Sequence, residues 1–235
     1  MRCPRHVSAG PQARGTEPPV ERIIVTDVRQ RPAAAGALLA SGIVYFTGEF
    51  VTAAAWSDPP YSYTHHFISD LGVHGPLTAF GQYMYSPLAA VMNTGMGLTG
   101  LAVLAGVALL KGLSRGLRAA TVAAAVVLAA GMLLVALFPG DGDSGYHGLG
   151  AILAFVSGNV LIVLLGRAHR PLGMSPGTGR LLTAAGALGI LSLVVFATVV
   201  TSGPGLLIGL FERGIIYSFL IGFMLVGARL RRGRA

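Results

Sequence analysis

The chain has a single cysteine, Cys3, and only 11% of its residues are charged. One cysteine permits no intrachain disulfide and no cysteine-based metal site. So little charge excludes an ordinary soluble domain, in which about a quarter of residues are charged. Acidic residues are scarce, 9 against 17 Lys and Arg. The resulting net charge of +8 would suit a nucleic-acid binder. The basic residues, however, punctuate the ends of apolar segments and form no stripe, so nucleic acid is excluded as a partner. A signal peptide is excluded as well, because the only apolar patch of the N-terminal tail, Ile23-Ile24-Val25, is too short to form its core.

What the chain does have is apolar length. Over half of its residues, 53%, are hydrophobic. At about 1.5 Å of rise per residue, about 20 apolar residues carry a helix across the hydrocarbon core. Six stretches qualify, at about 33–55, 87–110, 117–138, 147–165, 181–200 and 210–228. The expected fold is all-α, a bundle of six transmembrane helices over residues 32–229. Residues 1–31 read as a disordered basic tail, an extension from an upstream start codon, and residues 230–235 as a second basic tail. Gly95, Gly97, Gly100 and Gly106 give the second span a surface on which helix backbones can approach closely. No internal repeat stands out.

The charges orient the bundle. Arg2 to Arg31 lie in the N-tail, Lys111, Arg115 and Arg118 between spans two and three, and Arg167, Arg170 and Arg180 between spans four and five. Arg229 to Arg234 follow the last span. With six spans, all of these fall on one face. The positive-inside rule makes that face cytoplasmic, with both termini inside a multi-pass protein of the cell membrane and lipids as its partners. The first external loop, Trp56 to Ser86, has no Lys or Arg and carries seven aromatics, including Trp56, Tyr61, Tyr63, Phe80, Tyr83 and Tyr85, residues suited to the headgroup level.

One cation breaks the rule. Arg213, beside Glu212, begins the last span on the external side. It cannot shed its proton, and an unpaired charge at this depth is costly. A carboxylate partner is therefore expected, with Asp70 and Glu49 the candidates. Glu212 points about 100° away on the helix and is a poor partner. Measured up ideal helices from Arg31, Arg229 and Arg167, residues Glu49, Arg213 and His147 all lie about 24–30 Å away. Polar residues of separate spans thus converge at one depth. Structural readings compete at each position. Glu212 favours the positive end of a helix dipole. Asp141, Asp143 and Ser144 are turn formers and caps. Ser69-Asp70-Leu71-Gly72 suits the end of a short surface helix capped by Gly72.

The run His66-Phe67-Ile68-Ser69-Asp70-Leu71-Gly72 resembles the hallmark of a membrane family called domain of unknown function 998. Asn93-Thr94-Gly95 in the second span, Phe138-Pro139 and Asp141, His147 at the start of the fourth span, and Gly209-Leu210-Phe211-Glu212-Arg213 fit the same resemblance. It covers roughly Ala34 to Arg229. It implies a six-helix membrane protein without an assigned activity, and it implies that Ser69, Asp70, His147, Glu212 and Arg213 are the family's recurrent polar positions. The paired His65-His66 leaves open which imidazole precedes the Ile-Ser-Asp run.

Three chemistries suit these residues. The first is a hydrolase of a lipid-like substrate, with catalytic candidates Ser69, Asp70, His147, Glu212 and Arg213. His65, His66, His147 and Asp70 are candidate ligands of zinc, which accepts imidazole and carboxylate. A metal-free version uses His147 as general base, oriented by Asp141 or Asp70. The set distantly resembles that of seven-helix ceramidase-like membrane hydrolases. The second is proton-coupled or small-solute transport, disfavoured because Asn93, Asn159 and Thr198 are isolated in their spans. The third is a structural latch, in which an Asp70–Arg213 pair ties the first loop over the bundle.

Overall fold

The computed structural model describes residues 20–79, 81–141, 145–201 and 207–232, with backbone alone for residues 20–31 and 201. Cys3, Phe80, Asp143, Ser144 and Arg234 lie outside the described residues. Six helices are long and apolar enough to cross a membrane. They are α1 (Val20–Ala55), α2 (Ala89–Ala108), α3 (Arg115–Leu137), α4 (Tyr146–Arg167), α5 (Pro176–Thr201) and α6 (Ile208–Arg232).

Local chemistry sets the ends that differ from expectation. Helix α1 is already helical at Val20, ahead of the tail boundary expected at residue 31, and continues through Pro32. Its apolar crossing portion is Pro32–Ala55. Helix α5 starts at Pro176, earlier than the expected Leu181. Proline's fixed φ suits a first helical turn, and the Ser175 hydroxyl accepts the Thr178 N–H at 3.2 Å. Helix α6 runs past the expected end at Ala228 through Arg229, Arg231 and Arg232, cations that complement the negative end of the helix dipole.

The helices form a closed ring in chain order. Each packs on its sequence neighbours, α6 returns to α1, and α4 also reaches α6 across the middle. Gly95, Gly97, Gly100 and Gly106 are all buried in α2. A Cβ at Gly95 would lie 3.8 Å from the Cα of Gly48, so α1 and α2 cross almost backbone to backbone. Asn159 of α4 donates to the Ile215 carbonyl of α6 at 3.2 Å, a polar tie through the centre.

At one end of the ring, residues 56–88 form a structured cap. It holds a single 3-10 turn, Ser69–Gly72, and a small antiparallel hairpin, β1 (Leu77–Ala79) and β2 (Gln82–Met84), which turns through Gly81 at a φ of 72°. The Ser69–Gly72 turn is no surface element. Asp70, Leu71 and Gly72 are buried, and Ile68, Leu71 and Val73 join the same core as Tyr45, Met92 and Met96. Asn93 of α2 holds the turn by donating to the Gly72 carbonyl at 2.9 Å. Trp56 is likewise no headgroup aromatic. It is 3% exposed, whereas Tyr63, Tyr83 and Tyr85 stay on the surface.

Candidate functional site

Two separate polar constellations sit under the cap. The first surrounds Arg213 on α6. Glu49 of α1 is its partner, as one of the two expected alternatives had it. Nε and Nη2 of Arg213 both donate to Glu49 Oε1, at 3.1 and 3.0 Å. The Asp70–Arg213 pair is not formed, because Asp70 faces a different space. Nη1 donates to the carbonyls of Tyr63 at 2.7 Å, Gly209 at 3.1 Å and His66 at 3.3 Å. Nη2 also donates to the Tyr61 hydroxyl at 2.6 Å. The guanidinium carbon lies 4.8 Å from the Tyr63 ring centroid and 5.6 Å from that of Tyr61. Tyr217 completes the set by donating to Glu49 Oε1 at 2.8 Å. All five guanidinium donors are engaged, and both partners of the ion pair are buried.

This arrangement explains the charge that breaks the topology pattern. Arg213 gathers carbonyls of the cap loop, while Gly209 donates its backbone N–H to the Thr64 carbonyl at 3.0 Å. Gly209 is required by that closeness. A Cβ there would run into the His66 carbonyl and would lie 2.9 Å from the Tyr63 carbonyl. The phenol of Tyr61, half-buried within the loop, has its pKa raised by desolvation despite the lowering effect of Arg213.

The second constellation lines a cavity of about 370 Å³ between the cap, α4, α5 and α6. Ser69, Asp70, His147 and Glu212 all face it, among Phe67, Val73, Phe155 and Phe196. Ile152 and Val200 on its rim are 50% and 37% exposed, so the cavity opens on the apolar flank of the bundle. Four of the five catalytic candidates thus meet at one place. Arg213 does not join them, because its hydrogen-bond capacity is spent on Glu49 and the loop.

Three of these residues, Asp70, Glu212 and His147, are held by backbone groups. Asp70 Oδ2 accepts the Phe67 N–H at 2.9 Å, and Glu212 Oε2 accepts the next N–H, that of Ile68. Two carboxyls from different elements are therefore seated by consecutive peptide groups. Burial pushes the Asp70 carboxyl up to about 7, against the lowering effects of the Phe67 N–H and the Arg213 charge. His147 Nδ1 lies 3.0 Å from the Phe138 carbonyl. A carbonyl only accepts, so Nδ1 carries the proton and Nε2 keeps its lone pair. The residue that orients His147 is therefore neither Asp141 nor Asp70. Asp141 instead accepts the His74 N–H at 3.0 Å and lies 3.5 Å from the His74 ring.

Among the described residues, no other histidine lines the cavity. His66 is stacked between Trp56 and Tyr61, each at 5.3 Å, and its Nδ1 accepts the Ser62 N–H at 2.9 Å. Burial lowers its pKa, helped by the charges of His65 and Arg213. His65 is exposed and contacts the Thr64 hydroxyl at 2.7 Å. The zinc set of His65, His66, His147 and Asp70 is therefore not assembled. Among the described residues no group of three or more His, Cys, Asp and Glu is placed to hold a metal ion. The isolated amides and hydroxyl also have structural partners. Asn93 and Asn159 tie elements together, and Thr198 donates to the Val195 carbonyl at 2.6 Å.

Several contributors escaped sequence reasoning, among them Tyr61, read as a headgroup aromatic, whose hydroxyl accepts from Arg213. Tyr217 lies one turn after Arg213, on the same face of α6, and that spacing was a readable signal. The N–H groups of Phe67 and Ile68 gave no signal in side-chain chemistry.

A family model described as a protein of unknown function, DUF998, matches residues 38–229. The chain belongs to that family. No curated protein and no solved structure matches it. The DUF998 match spans both constellations.

Proposed function

We propose that this integral membrane protein is a hydrolase that receives the polar end of a lipid-like molecule in the side-opening cavity. The supporting observation is that Ser69, Asp70, His147 and Glu212, from three different elements, line one apolar space with access from the flank. His147 Nε2 is the general base, with its tautomer set by the Phe138 carbonyl. It takes a proton from a water that attacks the electrophilic carbon or phosphorus of the substrate. The carboxyl seated near neutrality, Asp70, donates its proton to the departing oxygen or nitrogen. Glu212 shares the cavity as the second carboxyl, and the Ser69 hydroxyl is a hydrogen-bond donor for the polar end of the substrate. Arg213 is left out of the chemistry and serves as the clamp that holds the cap.

The basic residues at the opposite end of the ring support a cytoplasmic placement of both termini. The cap and cavity then lie at the outer leaflet of the cell membrane, at headgroup depth.

The test uses the full chain in nanodiscs, offered ester, amide and phosphodiester lipids, with products read by mass spectrometry. The parent releases product from one class. His147→Ala and Asp70→Asn each slow it by about 100-fold or more, the usual scale of acid–base catalysis. Absence of product from all three classes, or undiminished turnover by both variants, overturns the hydrolytic reading.

A second reading is carried by the fully engaged Arg213, namely that the cap is a structural closure. It accounts for Glu49, Tyr61, Tyr217 and Arg213. It leaves Asp70, His147 and Glu212 facing a cavity without a task.

A further inference from the structure

Tyr45 of α1 is 1% exposed, and its hydroxyl has no hydrogen-bond partner. A buried hydroxyl left dry is unfavourable. Tyr45 lines a small void of about 20 Å³ beside the larger cavity, with which it shares Ser69, Ala151, Phe155 and Glu212. One water needs about 10–15 Å³ and two to four polar partners. The wall of the void supplies three polar residues, Tyr45, Ser69 and Glu212, among apolar neighbours such as Met96, Ala154 and Phe219. Ser69 and Glu212 also line the larger cavity, so the void lies directly behind it. Glu212 Oε2 is taken by the Ile68 N–H, which leaves Oε1 for another donor. The other ionisable groups whose charges act on Tyr45 are Glu49, Arg213 and Tyr217.

We propose that Tyr45 is a positioning residue for Glu212, acting through one water held in this void. The Tyr45 hydroxyl donates to the water oxygen. The water donates to Glu212 Oε1 and to Ser69 Oγ. The Glu212 carboxyl is then fixed from both sides, by the Ile68 peptide on one oxygen and by the water on the other. Ser69 and Glu212, two residues of the reaction site, are tied to each other through the same molecule. The task given to Glu212 rests on the hydrolytic reading of the larger cavity, whereas the bridge itself requires no turnover.

The test is infrared spectroscopy of the full chain in nanodiscs, combined with thermal unfolding. The Glu212 carboxyl band is the one lost in Glu212→Gln. Tyr45→Phe keeps the ring and removes the hydroxyl, so that band shifts and the melting temperature falls. Ala154→Val leaves Tyr45 intact, fills the void, and shifts the same band. A Tyr45→Phe protein with an unmoved Glu212 band, or one that melts higher than the parent because an unpartnered hydroxyl has been relieved, overturns the proposal. Neither readout depends on a substrate. A catalytically silent parent would overturn the hydrolytic reading alone.

Discussion

Asp70 and Glu212 are brought to one cavity by adjacent peptide groups, the N–H of Phe67 for the first and the N–H of Ile68 for the second. One acid belongs to the 3-10 turn of the cap and the other to the first turns of α6. Their alignment therefore depends on how the cap is held, and Arg213 holds it.

Removing one partner of the Glu49–Arg213 pair leaves the other buried without compensation. Glu49→Gln and Arg213→Met should each cost about 3–5 kcal/mol, measured by chemical or thermal unfolding in detergent. The double variant should lose clearly less than the two single losses added together. Strict additivity would show that the pair is not coupled.

The Tyr61 hydroxyl bonds a charged partner, whereas Tyr63 touches Arg213 mainly with its ring and its carbonyl. Tyr61→Phe should therefore destabilise by about 1.5–3 kcal/mol, the range for a hydrogen bond to a charged group. Tyr63→Phe keeps both contacts and should stay within about 0.5 kcal/mol of the parent. Equal losses in the two variants would contradict this placement of the guanidinium.

Gly209→Ala pushes a methyl group into the loop that carries Tyr63 and His66. A cost of about 1–3 kcal/mol is expected for such overpacking. Amide exchange of residues 62–68 should quicken while that of α3 is unchanged. An exchange pattern identical to the parent would exclude the close approach.

Asp70 gives stability a pH dependence of definite sign. Its carboxyl is held at about 7 in the fold, above its ordinary value of 3.8. The folded state therefore retains a proton that the unfolded chain gives up. Stability from this group is full below about pH 4 and is lost as pH rises to about 7. The melting temperature of the parent should fall across that window, and Asp70→Asn should flatten the fall.

Gly148 lines the cavity, and a Cβ there meets nothing within 4 Å. Gly148→Leu should fill the cavity with little loss of stability. Lipid turnover, or retention of a co-purified lipid in native mass spectrometry, should drop at least tenfold. Unchanged turnover would place the reaction elsewhere.

The spans were legible because apolar length and charge placement are one-dimensional signals. Arg213 was legible as an anomaly, and its two candidate partners followed from the few carboxylates on the same side of the bundle. The choice between them was not, because it depends on how the cap loop folds, and that fold turns Asp70 toward the cavity and leaves Glu49 beside Arg213. The catalytic candidates came from residue type together with the family resemblance, and Ser69, Asp70, His147 and Glu212 line one cavity. Arg213 lies outside that cavity, and a guanidinium satisfied by backbone carbonyls looks in sequence like one waiting for a substrate. His66 was misread for a related reason. Its stacking between Trp56 and Tyr61 depends on a loop path that periodicity does not describe.

The contact between α1 and α6 has a consequence for biogenesis. The acid that needs a counter-ion is on the first crossing, and its counter-ion arrives with the last. Until α6 is in place, Glu49 lacks the Arg213 guanidinium, and the cap, already tied to α2 by Asn93, lacks the carbonyl contacts that Arg213 supplies. The grip on the cap is therefore completed only by the last helix of the chain, which also supplies Glu212 to the cavity wall.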